Sequence, residues 1–186
     1  MTRLVLVQSS LHKNSRTAVV MDEVARQLDA RDISYDYLDL RDYTLPFCDG
    51  RAFADYLDEF PDMARISQLM QQADGYIFGY PNYVWTFSGV FKNFLDLFGK
   101  YTADKYFGIV VNAGGRNGFM ASNDLISIMA FDFSALAIMP QVYTAKDDFH
   151  QVGDEWLLSA DKPLQKVEQM VDALLFRIQT TVLPQL

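Results

Sequence analysis

A chain of 186 residues, half of them hydrophobic and 14% aromatic, has enough apolar material for one packed domain and too much for a disordered chain. Its net charge of −8 works against a phosphate-backbone partner, so no nucleic acid is expected. A lone cysteine, Cys48, excludes an internal disulfide framework, and the two histidines, His12 and His150, stand far apart, so no metal site is expected. The longest apolar stretch, Leu125 to Met139, is interrupted by Ser127, Asp132 and Ser134 and is too short to span a bilayer. Four apolar residues after Arg3 are too few for the apolar region of a signal peptide. These readings together give a soluble, cytoplasmic protein with no membrane partner.

Along the chain, strands and helices alternate. Leu4–Gln8 reads as a buried strand, and Arg16–Ala30 as a helix with Ala18, Met21, Val24, Ala25 and Leu28 near helical spacing. Ile33–Leu40 alternates Tyr and Leu with Asp and Ser and reads as a second strand. Residues 41–61 form a loop region with a short helix around Ala52–Glu59. Asp62–Ala73 is a helix, Gly75–Tyr80 a strand, Ser88–Lys100 a helix and Tyr106–Asn112 a strand. Gly118–Phe131 is a helix, Ala137–Thr144 a strand, and Asp161–Thr181 the closing helix. Five strands alternating with helices predict an α/β, doubly wound parallel sheet in the flavodoxin-like order 2-1-3-4-5, with helices on both faces, as one domain over residues 1–186.

In such a sheet a ligand sits beyond the carboxyl ends of the strands, where strand order reverses. That places it at the loops after strands 1, 3 and 4. The first runs from Ser9 to Thr17 and collects Ser10, Ser15 and Thr17 with His12, Lys13 and Arg16 at a helix start. Backbone N–H groups, hydroxyls and cations there suit a small anion such as a phosphate monoester. The same hydroxyls also serve as ordinary helix caps. The second loop, Pro81 to Ser88, carries Asn82, Tyr83, Val84 and Trp85. Its aromatics either border a planar ring or form a small hydrophobic cluster under the loop. The third, NAGGRNG, holds Gly114, Gly115 and Gly118, which either admit a close ligand or build a tight turn.

Taken together these residues resemble the NADPH-dependent FMN reductases of the flavodoxin-like superfold, a group that includes azoreductase-like and quinone- or chromate-reducing enzymes. The family's first loop reads G-S-x-R-x-x-S-x-N, and Ser9 to Thr17 align with it, with Ser9, His12 and Thr17 in place of Gly, Arg and Asn. Its second motif, P-E-Y-N-x-S-x-P-G-x-L-K-N, aligns with Pro81 to Asn93, with Val84 and Trp85 where Asn and a small residue are usual. The Gly-Gly loop matches Gly114 and Gly115. The resemblance implies that FMN is the cofactor and that NADPH or NADH is the donor. Ser10, His12, Ser15, Arg16 and Thr17 would then hold its phosphate. Pro81, Asn82, Tyr83, Val84 and Trp85 would lie along the ring, and Gly114, Gly115 and Gly118 near its pyrimidine edge.

On that basis the chain is expected to be an FMN-dependent NAD(P)H oxidoreductase serving a small-molecule electron acceptor, with no protein side chain required as acid or base. Two other readings stay open: a flavodoxin-type electron carrier, and a partner-binding module that has lost FMN. The carrier lacks support in the first loop, which shows no T-x-T-G-x-T pattern. Cys48 reads as a packing or surface residue, and Asp55, Asp58 and Glu59 as a solvated acidic face. Lys92 and Asp96 suit an i,i+4 ion pair. The helix 118–131 is apolar nearly all round, through Phe119, Met120, Leu125, Ile126, Ile128, Met129 and Phe131, which predicts a homodimer across it. The alternative is one helix buried deeply under the C-terminal segment.

Overall fold

The computed structural model describes residues 2–116 and 118–180. Its centre is β1 (Arg3–Gln8), paired in parallel on one edge with β2 (Ser34–Asp39) and on the other with β3 (Gly75–Pro81). Beyond β3 lie β4 (Tyr106–Asn112) and then β5 (Leu136–Ala137), so the order is β2-β1-β3-β4-β5. The chain leaves β1 for one side of the sheet and returns to the other, so strand order reverses at the β1/β3 boundary. This is the order the sequence predicts.

Alternation along the strands sends side chains to two cores. Val5, Val7, Tyr76, Phe78, Phe107 and Ile109 face a cluster covered by α3 (Pro61–Gln72), α4 (Gly89–Phe98) and α5 (Ala121–Phe133). Leu4, Leu6, Ile77 and Val110 face one covered by α1 (Arg16–Asp29) and the last helix, α6 (Asp161–Thr180). Every residue of β3 is buried, as a strand covered on both faces should be. Gly79 lets α1 come close: a Cβ there would stand 2.5 Å from the Met21 side chain. A four-residue helix, α2 (Ala54–Leu57), occupies the expected loop helix.

Two expected elements take a different form, and one stretch with no expected element is folded. The strand expected over Ala137–Thr144 is two pieces. β5 (Leu136–Ala137) pairs with the start of β4, and β6 (Val142–Thr144) pairs with its end. Pro140 stands between them and has no N–H to give to a ladder. The helix expected from Gly118 begins as a 3-10 turn at Gly118–Met120 before α5 proper. The region between strand and closing helix folds as an antiparallel hairpin, β7 (Phe149–Val152) and β8 (Glu155–Leu158). Its two-residue loop is Gly153-Asp154, with Gly153 at φ +61°. A Gly-Asp pair between alternating segments is the signal that announces such a hairpin. The expected end of the closing helix at residue 181 lies outside the described residues.

The carboxyl end of β1 is fixed by a buried polar cluster. Gln8 Nε2 donates to Asp39 Oδ1 at 3.0 Å and to the Ser10 carbonyl at 3.1 Å, while Gln8 Oε1 accepts from the Ser10 N–H. Asp39 also receives the Arg41 guanidinium, whose Nη1 reaches the Lys13 carbonyl at 3.2 Å. Ser9 closes the other side by donating from N and Oγ to the Gly79 carbonyl, at 2.9 and 3.1 Å. The path of the first loop is thus set by β2 and β3 together. Burial raises the Asp39 pKa, but hydrogen bonds from Arg41 and Gln8 outweigh it and hold the carboxyl below its usual range. A depressed carboxylate gives stability that is full above the unfolded pKa and is lost as pH falls through the folded one. Asp39→Asn is expected to cost about 1–3 kcal/mol near neutrality, because Arg41 loses its charged acceptor. The cost should shrink on acidification, and denaturant unfolding of both proteins between neutral and acid pH measures it.

Candidate functional site

The three loops at the reversal point meet in one cleft of about 590 Å³. Ser10, His12, Ser15, Arg16 and Thr17 line it from the first loop, Pro81, Asn82 and Tyr83 from the second, and Gly114 from the third. A second compartment of about 380 Å³ continues past Asn82, Ala113 and Gly114 and is bounded by Val84, Trp85, Gly115, Arg116 and Gly118. Every residue assigned above to the cofactor therefore borders one of two adjoining spaces, whereas Lys13 lines neither.

At the first loop, Ser15 caps α1 and its Oγ accepts from the Ala18 N–H at 3.1 Å. The capping reading of Ser15 is therefore correct, and it leaves the remaining N–H groups of that turn facing the cleft. Asn14 N–H donates to His12 Nδ1 at 3.1 Å, so Nε2 carries the imidazole hydrogen outward. Thr17 is buried in the first turn of α1. Arg16 is the decisive residue. Its guanidinium carbon lies 5.4 Å from the centre of the Trp156 ring and 5.8 Å from that of Phe149. Its Nη1 is buried and has no hydrogen-bond partner among the described residues. A buried charged donor left unpaired is costly, and an anion in the cleft removes the cost.

The second loop is a two-residue turn. Tyr83 and Thr86 exchange both backbone hydrogen bonds, at 2.9 and 3.1 Å, around Val84 at φ +52° and Trp85 at φ +66°. A β-branched residue with positive φ is strained. Tyr83, Val84 and Trp85 are exposed, Val84 at 92%. The hydrophobic cluster that anchors this loop is built instead from Phe87, packed edge-on to Tyr80 and Phe91. Tyr83 and Trp85 are free to border a ligand. Asn82 is held by its N–H on the Asn112 carbonyl at 2.8 Å, and its Oδ1 is buried with no partner among the described residues.

The third loop leaves β4 with Asn112 Nδ2 on Thr144 Oγ1 at 2.9 Å and Ala113 N–H on the Thr144 carbonyl at 2.9 Å. Gly114 and Gly115 are exposed, and a Cβ on either would meet no atom within 4 Å, so neither is needed for internal packing. Their bareness keeps the cleft wall low. Gly118 differs: a Cβ there would lie 2.2 Å from Ala113 Cβ and 2.9 Å from Asn82 Nδ2, so its bareness joins the second and third loops. Arg116 is tied to buried Asp148 by a bidentate pair at 3.0 and 2.9 Å. Lys92 and Asp96 form the expected ion pair on α4, away from the cleft lining.

Two further lining residues, Lys146 and Trp156, were not singled out in the sequence. Both come from the segment after β6, and Trp156 belongs to the hairpin, so only recognition of the Gly153-Asp154 turn brings them into view. The assembled site offers a cationic, hydroxyl-lined end at α1 and a flatter, glycine- and aromatic-walled end between the other loops. It fits a ligand with an anionic tail and a planar head.

Residues 2–150 match the family described as NADPH-dependent FMN reductase. An NAD(P)H-dependent FAD/FMN reductase of Geobacillus thermodenitrificans is 27% identical over 141 residues, 74% of each chain. An FMN-dependent NADPH-azoreductase of Staphylococcus aureus is 27% identical over 148 residues, 77% of each chain. Among solved structures, the NADH:FMN oxidoreductase EmoB in its apo form superposes with a TM-score of 0.75 at 18% identity, over 99% of this chain and 92% of that one. FerB of Paracoccus denitrificans, a flavoenzyme NAD(P)H:(acceptor) oxidoreductase, gives 0.76 at 17% identity, over 96% and 98%. An archaeal flavodoxin gives 0.61 at 11% identity, over 96% and 99%. The structural likenesses establish the flavodoxin-like fold. The match over four-fifths of the sequence goes further: this chain belongs to the NADPH-dependent FMN reductase family.

Proposed function

We propose that this chain is an FMN-dependent NAD(P)H oxidoreductase whose cofactor phosphate lies at the N-terminus of α1 and whose ring lies between the second and third loops. The observation that supports the placement is that Arg16, which lines the cleft, has a buried Nη1 with no hydrogen-bond partner among the described residues. A phosphate supplies the missing acceptor, and the hydroxyls of Ser10 and Thr17, His12 Nε2 and Lys146 add donors around it. When bound, FMN supplies the two-electron chemistry between NADPH or NADH and a small acceptor.

The protein's part is binding and orientation. Arg16 is pre-positioned by Trp156 and Phe149, so little side-chain entropy is lost when it meets the phosphate. Asn82 Oδ1, a buried acceptor with no partner among the described residues, would accept from a ring N–H. Backbone N–H groups of Gly114, Gly115 and Gly118 would stabilise the negative charge that develops on a reduced ring. Tyr83 at the first cleft and Trp85 at the second compartment present exposed aromatic surface, which favours a flat acceptor, such as a quinone, an azo compound or a free flavin, over a metal ion. The acceptor reacts there with no protein acid or base.

Assembly belongs to the same proposal. α5 buries Ala121, Ser122, Leu125 and Met129 and half-buries Ile126 and Ile128, so the chain covers more of it than the sequence pattern suggests. Phe131 is left 91% exposed, with Met120, Leu136 and Met139 also exposed. An exposed phenyl ring on a helix that is otherwise packed is a natural homodimer contact.

Three experiments test this reading. Purified protein loaded with FMN should oxidise NADPH or NADH in the presence of a quinone. Arg16→Ala should weaken FMN binding about 10- to 100-fold, the cost of one charge-assisted hydrogen bond, with riboflavin binding little changed. Equal loss for both flavins would place the phosphate elsewhere. Sedimentation should give a dimer for the native chain and a monomer for Phe131→Asp; a native monomer at micromolar concentration would contradict the dimer.

A further inference from the structure

The chain carries a net charge of −8, yet among the described residues no acidic side chain lines the cleft or the second compartment. Arg16 and Lys146 supply the charge in the cleft and are used at its phosphate end. Arg116 is the one charged side chain among the described residues that lines the second compartment, and the reading above gives it no task. Its guanidinium is held in place: Nη1 and Nη2 meet the two carboxylate oxygens of Asp148 at 3.0 and 2.9 Å. Asp148 is buried, whereas the Arg116 side chain is 62% exposed. The pair is therefore a fixed dipole with its negative end sealed in the protein and its positive end at the compartment. We infer that Arg116 selects the acceptor, so that the second compartment favours a planar ring bearing a carboxylate or sulfonate over the same ring without charge. The inference rests on the reading above for the compartment's role as the place where an acceptor is reduced.

The walls fit such a molecule. Trp85, from the second loop, is 56% exposed and offers a flat face to a ring. Arg116, from the third loop, offers a planar fork that matches two oxygens of an acidic group. Its contact with Asp148 spends two of the five guanidinium N–H donors and leaves the others for a ligand. Because Asp148 already fixes the side chain, little rotamer freedom is lost when it meets an anion. A compartment of about 380 Å³ is of the size that holds small molecules. A counter-ion to Asp148 could approach from any direction, and here it comes from the loop that walls the compartment. The acidic substituent is a handle only: no bond to it forms or breaks, and the electrons go to the quinone or azo group of the ring system.

The test titrates FMN-loaded protein with 2-naphthoate and 2-naphthamide, a charged and an uncharged probe that flavin does not reduce, by ligand-observed NMR. It also measures KM for 1,4-naphthoquinone and for its 2-sulfonate. Arg116→Gln leaves Asp148 without its cation, so Arg116→Lys and the double variant Arg116→Gln/Asp148→Asn are measured beside it. The native protein should bind naphthoate about tenfold more tightly than naphthamide, the scale of one charge-assisted hydrogen bond. Arg116→Gln and the double variant should both abolish that preference and raise the ratio of the sulfonate KM to the neutral-quinone KM about tenfold; Arg116→Lys should keep part of the preference. Equal binding of acid and amide by the native protein would overturn the inference. A preference restored in the double variant, or an equal loss of acid and amide in Arg116→Gln, would overturn it by making Arg116 a counter-ion to Asp148 only. Weaker FMN binding in Arg116→Gln with the acid preference intact would overturn it by giving Arg116 to the cofactor. Each of these results leaves the FMN reading standing, whereas a native chain that binds no FMN would overturn that reading and this inference with it.

Discussion

The site depends on the pairing of β1 along both edges. Because β1 is bonded to β2 on one side and β3 on the other, its carboxyl end is the point where strand order reverses. The loop that leaves it cannot drift. Gln8 ties it to Asp39 at the end of β2, Ser9 ties it to Gly79 in β3, and Arg41 reaches across to the Lys13 carbonyl. Gln8 and Ser9 are buried polar side chains, and each is satisfied by a group of a neighbouring strand. Their shared effect is to hold a polar turn against a hydrophobic sheet so that α1 starts facing the cleft.

Against that satisfied background the unsatisfied atoms stand out. Arg16 Nη1 and Asn82 Oδ1 are buried without partners among the described residues, one a donor at the α1 end of the cleft and one an acceptor toward its ring end. The positive φ of Val84 and Trp85 adds local strain at about 1–2 kcal/mol per residue. Unpaired groups and strain cost stability in the empty protein, and a ligand recovers the first of these. A helix cap alone accounts for Ser15 but not for a cleft-lining arginine whose buried Nη1 has no partner among the described residues. That contrast favours an anion-binding cleft over the module that has lost its cofactor.

Much of the architecture was legible in the sequence because it rests on local pattern. The apolar runs Leu4–Gln8, Gly75–Tyr80 and Tyr106–Asn112 are strands buried on both faces, and such runs announce themselves. The three loops were legible because position in a doubly wound sheet and unusual composition agree. What stayed hidden involves longer-range effects. Pro140 divides an apolar segment that otherwise reads as one strand. The hairpin around Gly153 and Asp154 is short and mostly exposed, so its alternation is weak. Missing it meant missing Trp156, which reaches the first loop only through the folded topology. The exposure of Tyr83 and Trp85 was equally unreadable, since Phe87, four residues on from Tyr83, supplies the anchor that either aromatic might have been expected to supply.

The most direct measurement is retention of flavin by the native chain. Protein incubated separately with FMN and with riboflavin, then desalted, is read by its visible absorption. A buried, pre-positioned Arg16 predicts that FMN stays bound with a shifted flavin band and that riboflavin washes away. Loss of both, or equal retention of both, would contradict an FMN site built around the phosphate at the N-terminus of α1.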